Sequence, residues 1–367
     1  MKIALGSKIY NQPWGGGNLF IKNLSEYLTE NGHSISFNLF QKDIDVILLL
    51  DPRLSSQNAT FNHRDIYFYK KLVNPNVKVV HRINECDQRK NTSGLNQYYI
   101  KSNKVADHTV FVSEWLKKIY IDDGIKNNNL SVIMSGSDKN IFNSKNFEKW
   151  NGESIFKIVT HHWGSNKNKG FEIYKKLDEL ISKPEWRNKI TFQFIGNINK
   201  DYEFQNTKIT EPLSGIELAN EIKQNNAYIT ASINEPSGNH HIESSQCGLP
   251  LLYVNSGGIP EFAKDFGLEF SPENLEEKIL ELMNNYSKYF ELMKDYPFES
   301  SRMSHDYEKL FAEIQNKDDI KLNLFKFYLF NVIRYPKYFI KFNSIGRFTF
   351  IIYLKLRLLI NKNKDIL

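Results

Sequence analysis

The chain has 367 residues, of which 41% are hydrophobic and 25% charged. That is enough for roughly two domains, each burying its own core, and it excludes a disordered, low-complexity chain. The formal net charge of +6 is uneven: residues 320–367 carry ten Lys or Arg and one acid, Asp365, leaving 38 basic and 41 acidic residues before them. An acidic body with no recognisable DNA- or RNA-binding motif argues against a nucleic-acid partner. Residues 1–10 read as a strand with no long apolar segment after it, so a secretory signal is not expected. The two cysteines, Cys86 and Cys247, fall in what read as different domains, which gives no disulfide framework and fits reduced thiols in the cytoplasm.

Short β-rich apolar runs alternate with helical patterns in two successive series, the signature of α/β units around parallel sheets. The first series predicts strands at 2–7, 34–40, 45–51, 77–84, 108–113 and 130–135, with helices such as 18–31 and 113–122 between them. The second predicts strands at 156–162, 191–196, 227–232, 249–255 and 268–270. The expected organisation is a Rossmann-like domain over 1–145, joined near 143–153 to a second over 146–300, then a helix at 301–319 able to return to the first, and a basic amphipathic tail at 320–367. In open α/β sheets ligands bind beyond the carboxyl ends of the strands, where strand order reverses. Two such domains facing each other make a cleft.

The polar and glycine-rich segments all follow predicted strands. After the first comes Trp14-Gly15-Gly16-Gly17-Asn18, opening a helical stretch. Glycines let backbone approach a ligand, and free amides at a helix start attract phosphate or sugar oxygens; a flexible loop accounts for the glycines equally well. The GK[ST] element of a P-loop is missing. The fourth strand exits through His81 to Lys90, where Arg82, Asn84, Asp87 and Arg89 suit a polyhydroxylated or anionic ligand, or else a salt-bridged surface loop. Lys169, just ahead of a helix beginning near Phe171, can neutralise phosphate oxygens as a compact charge.

The most informative run is NEPSGNHHIESSQCGLP, in which Glu235 and Glu243 stand eight positions apart. Glu235 falls in a turn and Glu243 about one turn into a helix whose first amides, at Gly238 and Asn239, favour a diphosphate. Glu243 can accept hydrogen bonds from two neighbouring ribose hydroxyls, and Glu235 from hydroxyls of a bound sugar. The later loop Gly257-Gly258-Ile259-Pro260-Glu261 follows the next strand. The doublets His161-His162 and His240-His241 lack the spacing of metal ligands, because adjacent side chains point apart. Asp43-Ile44-Asp45 precedes a strand rather than following one, so no metal is expected.

Taken together these segments resemble the GT-B fold glycosyltransferases of family 4, retaining enzymes with a Glu-x7-Glu motif. The resemblance spans roughly residues 1–315 and rests on Gly15 to Gly17, HRINECD, VFVSEWLKKIY, SVIMSGSDKNIF, NKG at 168–170, FIGN, and the stretch from Glu235 to Glu261. It implies that Lys169 and Glu235 serve catalysis through the donor diphosphate and donor sugar, that Glu243 binds the ribose, and that Gly16, Gly17, Gly238, Asn239 and Gly258 complete the donor site. Arg82, Asn84, Asp87 and Arg89 fall on the acceptor or sugar side. It also implies a UDP-, GDP- or ADP-linked sugar donor and no metal or other cofactor, since lysine and helix amides stabilise the leaving nucleotide. Two departures stand out. Where many relatives carry a second phosphate-binding arginine this chain has Gly164, leaving Lys167 or Arg82 to replace it, or a weaker phosphate site. The NGVD-like element reads Ser135-Gly136-Ser137-Asp138, without the asparagine.

The tail interleaves Phe325, Phe327, Tyr328, Phe330, Tyr335, Tyr338 and Phe339 with cations. It holds no uncharged apolar stretch of the ~20 residues that span a bilayer. Basic aromatic segments of this kind lie in anionic membrane interfaces, which predicts a peripheral enzyme on the inner face of the cell membrane acting on a glycan or lipid-linked acceptor for cell-surface polysaccharide. The alternatives are a helical extension packed on the body or on another subunit, a GT-B enzyme with a small-molecule acceptor, and a degenerate, non-enzymatic body that binds membrane or nucleic acid.

Overall fold

The computed structural model describes residues 1–10, 16–315 and 323–334. Its first domain holds β1 (Lys2–Leu5), β2 (Ser34–Ser36), β3 (Val46–Leu49), β4 (Lys78–Ile83), β5 (His108–Phe111) and β6 (Leu130–Val132), with helices α1 (Gly16–Glu30), α2 (His63–Leu72), α3 (Asp87–Lys90), α4 (Leu95–Ser102) and α5 (Glu114–Asp122). The strands form one parallel sheet in the order β2-β1-β3-β4-β5-β6. Central strands are buried throughout, as in the Val-Ile-Leu-Leu run of β3, because helices cover both faces of a parallel sheet.

The second domain repeats the plan with β7 (Phe156–His162), β8 (Ile190–Gly196), β9 (Lys208–Thr210), β10 (Ala227–Thr230), β11 (Leu251–Val254) and β12 (Gly267–Phe270), and with α6 (Phe171–Leu180), α7 (Gly215–Ile222), α8 (Asn239–Gln246), α9 (Ile259–Ala263), α10 (Leu275–Asn284) and α11 (Tyr286–Leu292). Strand order is β12-β11-β10-β7-β8-β9, again parallel. Every strand expected from the sequence is present. The edge strand β9 was not expected, since it is three residues long, has no buried residue and has no apolar run to announce it. Strand order reverses at β1, between β2 and β3, and at β7, between β8 and β10. Ligand crevices of open α/β sheets lie at such points.

The chain passes between the domains near Gly136, where a side chain would lie 2.2 Å from the carbonyl carbon of Glu299. Ser137 N–H donates to Phe298 O at 3.1 Å and Ser300 N–H to Ser137 O at 2.8 Å, so the outgoing and returning segments are laced together. Phe142 is already buried in the core of the second domain, placing the crossover ahead of residues 143–153. After it returns, α12 (Ser300–Ile314) packs on α1, burying Met303, Tyr307, Leu310 and Phe311 with Ile3, Leu5 and Leu24. Tyr307 meets Phe20 edge-on at 5.4 Å.

A last helix, α13 (Leu324–Arg334), lies along α2. Phe330 is buried beside Ile47 and meets Tyr69 at 5.6 Å, while Arg334 Nε sits 2.7 Å from Asp65 Oδ1. This part of the basic tail therefore packs on the body. The tail beyond it, residues 335–367, and the link at 316–322 lie outside the described residues, and so do most of the tail cations. No helix among the described residues is long and apolar enough to cross a membrane.

Candidate active site

A cleft of about 630 Å³ separates the two domains. Gly16, Gly17, Arg82, Asn84 and Arg89 line it from the first domain, and Lys169, Glu235, Gly238, Asn239 and Glu243 from the second. Residues scattered over more than two hundred positions meet here because both strand-order reversals open onto the same space.

Glu235 sits at its centre. The chain after β10 turns through Asn234, at φ 53°, and Gly238, at φ 81°, a conformation that favours glycine and asparagine. Gly257 closes over this turn, so near that a side chain there would lie 2.4 Å from Glu235 O, and Gly258 N–H donates to the same oxygen at 2.9 Å. The clamp fixes the carboxylate. Lys169 Nζ donates to Glu235 Oε2 at 2.7 Å and Arg89 Nε, from the facing domain, to Oε1 at 2.9 Å. Arg89 also pairs with Glu85 at 2.7 Å. Burial pushes the Glu235 carboxyl upward, but the charges and hydrogen bonds of Lys169 and Arg89 outweigh it and hold the group at about 2, because an opposite charge in van der Waals range favours the ionised form.

Glu243 lies on the first turns of α8 and is equally buried. His161, at the end of β7, donates from Nε2 to Glu243 Oε2 at 3.0 Å, orienting the carboxylate toward the cleft. Behind it the four histidines cluster, with His162 and His240 ring centroids 4.6 Å apart and His240 and His241 5.2 Å apart. Tyr174 OH is hydrogen-bonded to His162 Nε2 at 2.7 Å and Thr230 OH to His240 Nε2 at 2.8 Å, and His241 Nε2 donates to Ser237 O at 2.6 Å. Burial first, and then the nearby Lys169 charge, drives His162 well below its ordinary range. Burial does the same to His240 and brings His241 to about 4. His162, His240 and His241 are neutral packing partners of the α8 start, and no group of three His, Cys, Asp or Glu among the described residues is placed to hold a metal. Two polar atoms on the cleft floor, His161 Nδ1 and Ser237 Oγ, are buried with no partner among the described residues, a sign of an unfilled polar role.

The first domain brings a second helix start to the same place. A side chain at Gly16, the first residue of α1, would lie 3.0 Å from the Asn239 carboxamide at the start of α8, so the two N-termini all but touch across the cleft. Both carry free amides and the positive end of a helix dipole. Arg82, at the end of β4, lies with its guanidinium 3.9 Å from the centre of the Phe20 ring.

Two expectations from the sequence need correcting. Gly258 does not line the cleft: a side chain there would run into Pro236 O and Ser113, and its amide holds the Glu235 turn. Asp87 does not face a ligand either: it accepts from the amides of Leu95 and Asn96 at 3.0 and 2.9 Å and from Thr92 OH at 2.8 Å, capping the start of α4. Arg89 does line the cleft, where it is bonded to Glu235. Lys167, one candidate for the missing arginine, keeps 77% of its side chain exposed and faces Asp201 at 3.8 Å, outside the cleft.

Other residues of the site went unrecognised in the sequence. His161 stood in a doublet that signalled nothing but a failed metal pattern. Trp163, Pro212, Leu213 and Ser214 line the end of the cleft beyond β8, and no motif marks them. Glu261 accepts from the Glu114 and Trp115 amides at 2.8 Å each, so a side chain of the second domain caps α5 of the first. Asn168 Nδ2 likewise donates across the seam to Arg89 O at 3.0 Å.

Comparison with known proteins agrees with this architecture. Residues 195–296 match the family model described as glycosyl transferases group 1. The Anabaena protein HepE, solved with UDP and glucose, superposes with a TM-score of 0.62 at 13% identity, covering 85% of this chain and 99% of that one. Sucrose-phosphate synthase from Thermosynechococcus elongatus gives 0.57 at 13% identity over 85% and 98%, and a glycosyltransferase from Rickettsia africae 0.55 at 14% over 85% of each. No curated protein matches the chain by sequence. The fold is that of the GT-B glycosyltransferases, two parallel α/β domains facing across a cleft.

Proposed function

We propose that the chain is a retaining glycosyltransferase that moves a sugar from a nucleoside diphosphate donor to a hydroxyl of a glycan or lipid-linked acceptor. The observation that carries this reading is the convergence of Lys169, Glu235 and the α8 amides opposite the start of α1, at both strand-order reversals. The match of residues 195–296 to the glycosyl transferases group 1 model supports it. Among UDP-, GDP- and ADP-linked donors, the UDP-glucose complex of the similarly folded HepE favours UDP.

In the proposed reaction the diphosphate lies between the α8 and α1 starts, and Lys169 balances its charge. Glu243, oriented by His161, accepts from the ribose hydroxyls. The acceptor oxygen bonds to the anomeric carbon on the face from which the β-phosphate oxygen departs, and that oxygen takes the acceptor proton. Two carboxylates acting as acid and nucleophile in a retaining hydrolase stand ~5 Å apart across the bond; Glu235, tied to two cations, is instead a fixed acceptor for sugar hydroxyls. No metal step is needed in this scheme, because lysine and amides carry the leaving charge.

Thermal-shift screening with UDP, GDP and ADP tests the reading. One of them stabilises the protein by mass action, with and without EDTA, and Lys169→Ala and Glu243→Ala remove the shift. No shift with any of the three contradicts it. We propose in addition that the cations beyond Arg334 hold the enzyme on anionic lipid near a lipid-linked acceptor. Flotation of the full chain and of one ending at residue 334 with phosphatidylserine vesicles tests this, and equal binding by both contradicts it.

A further inference from the structure

Arg82 is 6% exposed and makes no ion pair among the described residues, although it lines the cleft. The nearby acid that could neutralise it is committed elsewhere, since Glu85 sits 2.7 Å from Arg89 and 3.6 Å from Lys90. Asp51, on the same wall, is held by Arg53 at 2.7 Å. The guanidinium instead sits 3.9 Å from the centre of the Phe20 ring, one turn along α1 from Gly16, with the neutral Tyr307 hydroxyl as its polar neighbour. A buried cation without a counter-charge is costly, and stacking on an aromatic face offsets only part of that cost. A site that keeps such a cation facing a cleft is built for an anion that arrives from outside.

Position decides which anion. Arg82 lies beside α1 one turn from Gly16, which abuts Asn239 at the start of α8, so the guanidinium and both helix starts line one cleft. Lys167 is excluded by its exposure and its place outside the cleft. Gly164 leaves open ground beside Lys169: a side chain there would begin 3.8 Å from Lys169 Cε, in ordinary contact.

We propose that Arg82 is the second diphosphate-binding cation of this protein, gripping the donor's phosphates from the first domain while Lys169 holds them from the second. The inference rests on the nucleotide-sugar reading above and adds to it the residue that makes diphosphate binding require both domains. A planar fork matches two phosphate oxygens at once, and its contribution is felt only when the cleft is closed on the ligand.

The test is titration calorimetry of wild type, Arg82→Met and Arg82→Lys with UDP, GDP and ADP, and with the free nucleoside of whichever diphosphate binds. Arg82→Met weakens the diphosphate about tenfold to a hundredfold, the range of a lost charge-assisted hydrogen-bond pair, and leaves the nucleoside unchanged. Its unliganded melting temperature equals or exceeds that of wild type, because an uncompensated buried charge has gone. Arg82→Lys, which keeps the charge but not the fork, falls between. Adding Gly164→Arg to Arg82→Met recovers part of the diphosphate affinity, since it restores a cation beside Lys169. Unchanged diphosphate affinity in Arg82→Met overturns the proposal while leaving the nucleotide-sugar reading intact, and so does an equal loss for nucleoside and diphosphate. Wild type that binds none of the three nucleotides overturns both.

Discussion

Lys169 Nζ stands 2.7 Å from Glu235 Oε2, and Arg89 reaches the other oxygen of the same carboxylate from the opposite domain at 2.9 Å. One buried acid thus serves two cations from two domains, and it ties Lys169 to the facing domain across the cleft. Removing the acid takes the counter-charge from Lys169 and leaves Arg89 with Glu85 alone. Glu235→Gln, which keeps the shape, lowers stability by roughly 3 kcal/mol, read by urea denaturation at pH 7. A neutral change would mean that the cations find water or other partners at no cost.

The same pairing sets a pH dependence. Glu235 is held at about 2, below its ordinary 4.5, so the folded state binds this proton more weakly than the unfolded chain does. Its contribution is fully present above pH 4.5 and is lost as pH falls toward 2, at up to about 1.4 kcal/mol per pH unit. Denaturation midpoints of wild type and Glu235→Gln therefore converge over that window on acidification. Parallel curves from pH 5 to pH 2 contradict the depressed value.

Gly16 and Gly17 separate close approach from mere helix start. A methyl group at Gly16 meets the Asn239 carboxamide at 3.0 Å, whereas at Gly17 it meets nothing within 4 Å. Gly16→Ala moves Asn239 and weakens nucleotide binding severalfold. Gly17→Ala leaves binding unchanged and adds about 0.5 kcal/mol of stability by restricting the unfolded chain. Calorimetry and thermal melts on the two variants check this, and equal effects on binding would remove Gly16 from the site.

Phe330 tests whether α13 is part of the folded body. It is buried against Tyr69 and Ile47, so Phe330→Ala costs roughly 3 kcal/mol. Phe325, largely exposed on the same helix, tolerates the change. Denaturation that does not distinguish the two variants would show that α13 does not dock in solution.

The fold was legible in the sequence because buried parallel strands read as short aliphatic runs, and only β9, three residues long with none of them buried, left no such mark. The site was legible where a residue follows a strand and precedes a helix start, as Lys169, Gly238 and Asn239 do. It was not legible where function depends on a partner across the cleft. Nothing local to Arg89 says that it reaches Glu235, nothing in His161-His162 says that the first orients Glu243, and Asp87 looks like a ligand residue until its bonds to the Leu95 and Asn96 amides are seen. The tail misled because its aromatic and basic residues suit a membrane interface and a packed amphipathic helix alike, and over 324–334 packing on α2 wins.

The most direct measurement is a crystal structure of the protein with the nucleoside diphosphate that stabilises it. The account predicts the diphosphate at the Asn239 amide with Lys169 Nζ and the Arg82 guanidinium on its oxygens, the ribose hydroxyls on Glu243, and the base beyond β8 near Trp163. A nucleotide bound outside this cleft, or within it with its phosphates away from Lys169 and the start of α8, would contradict it.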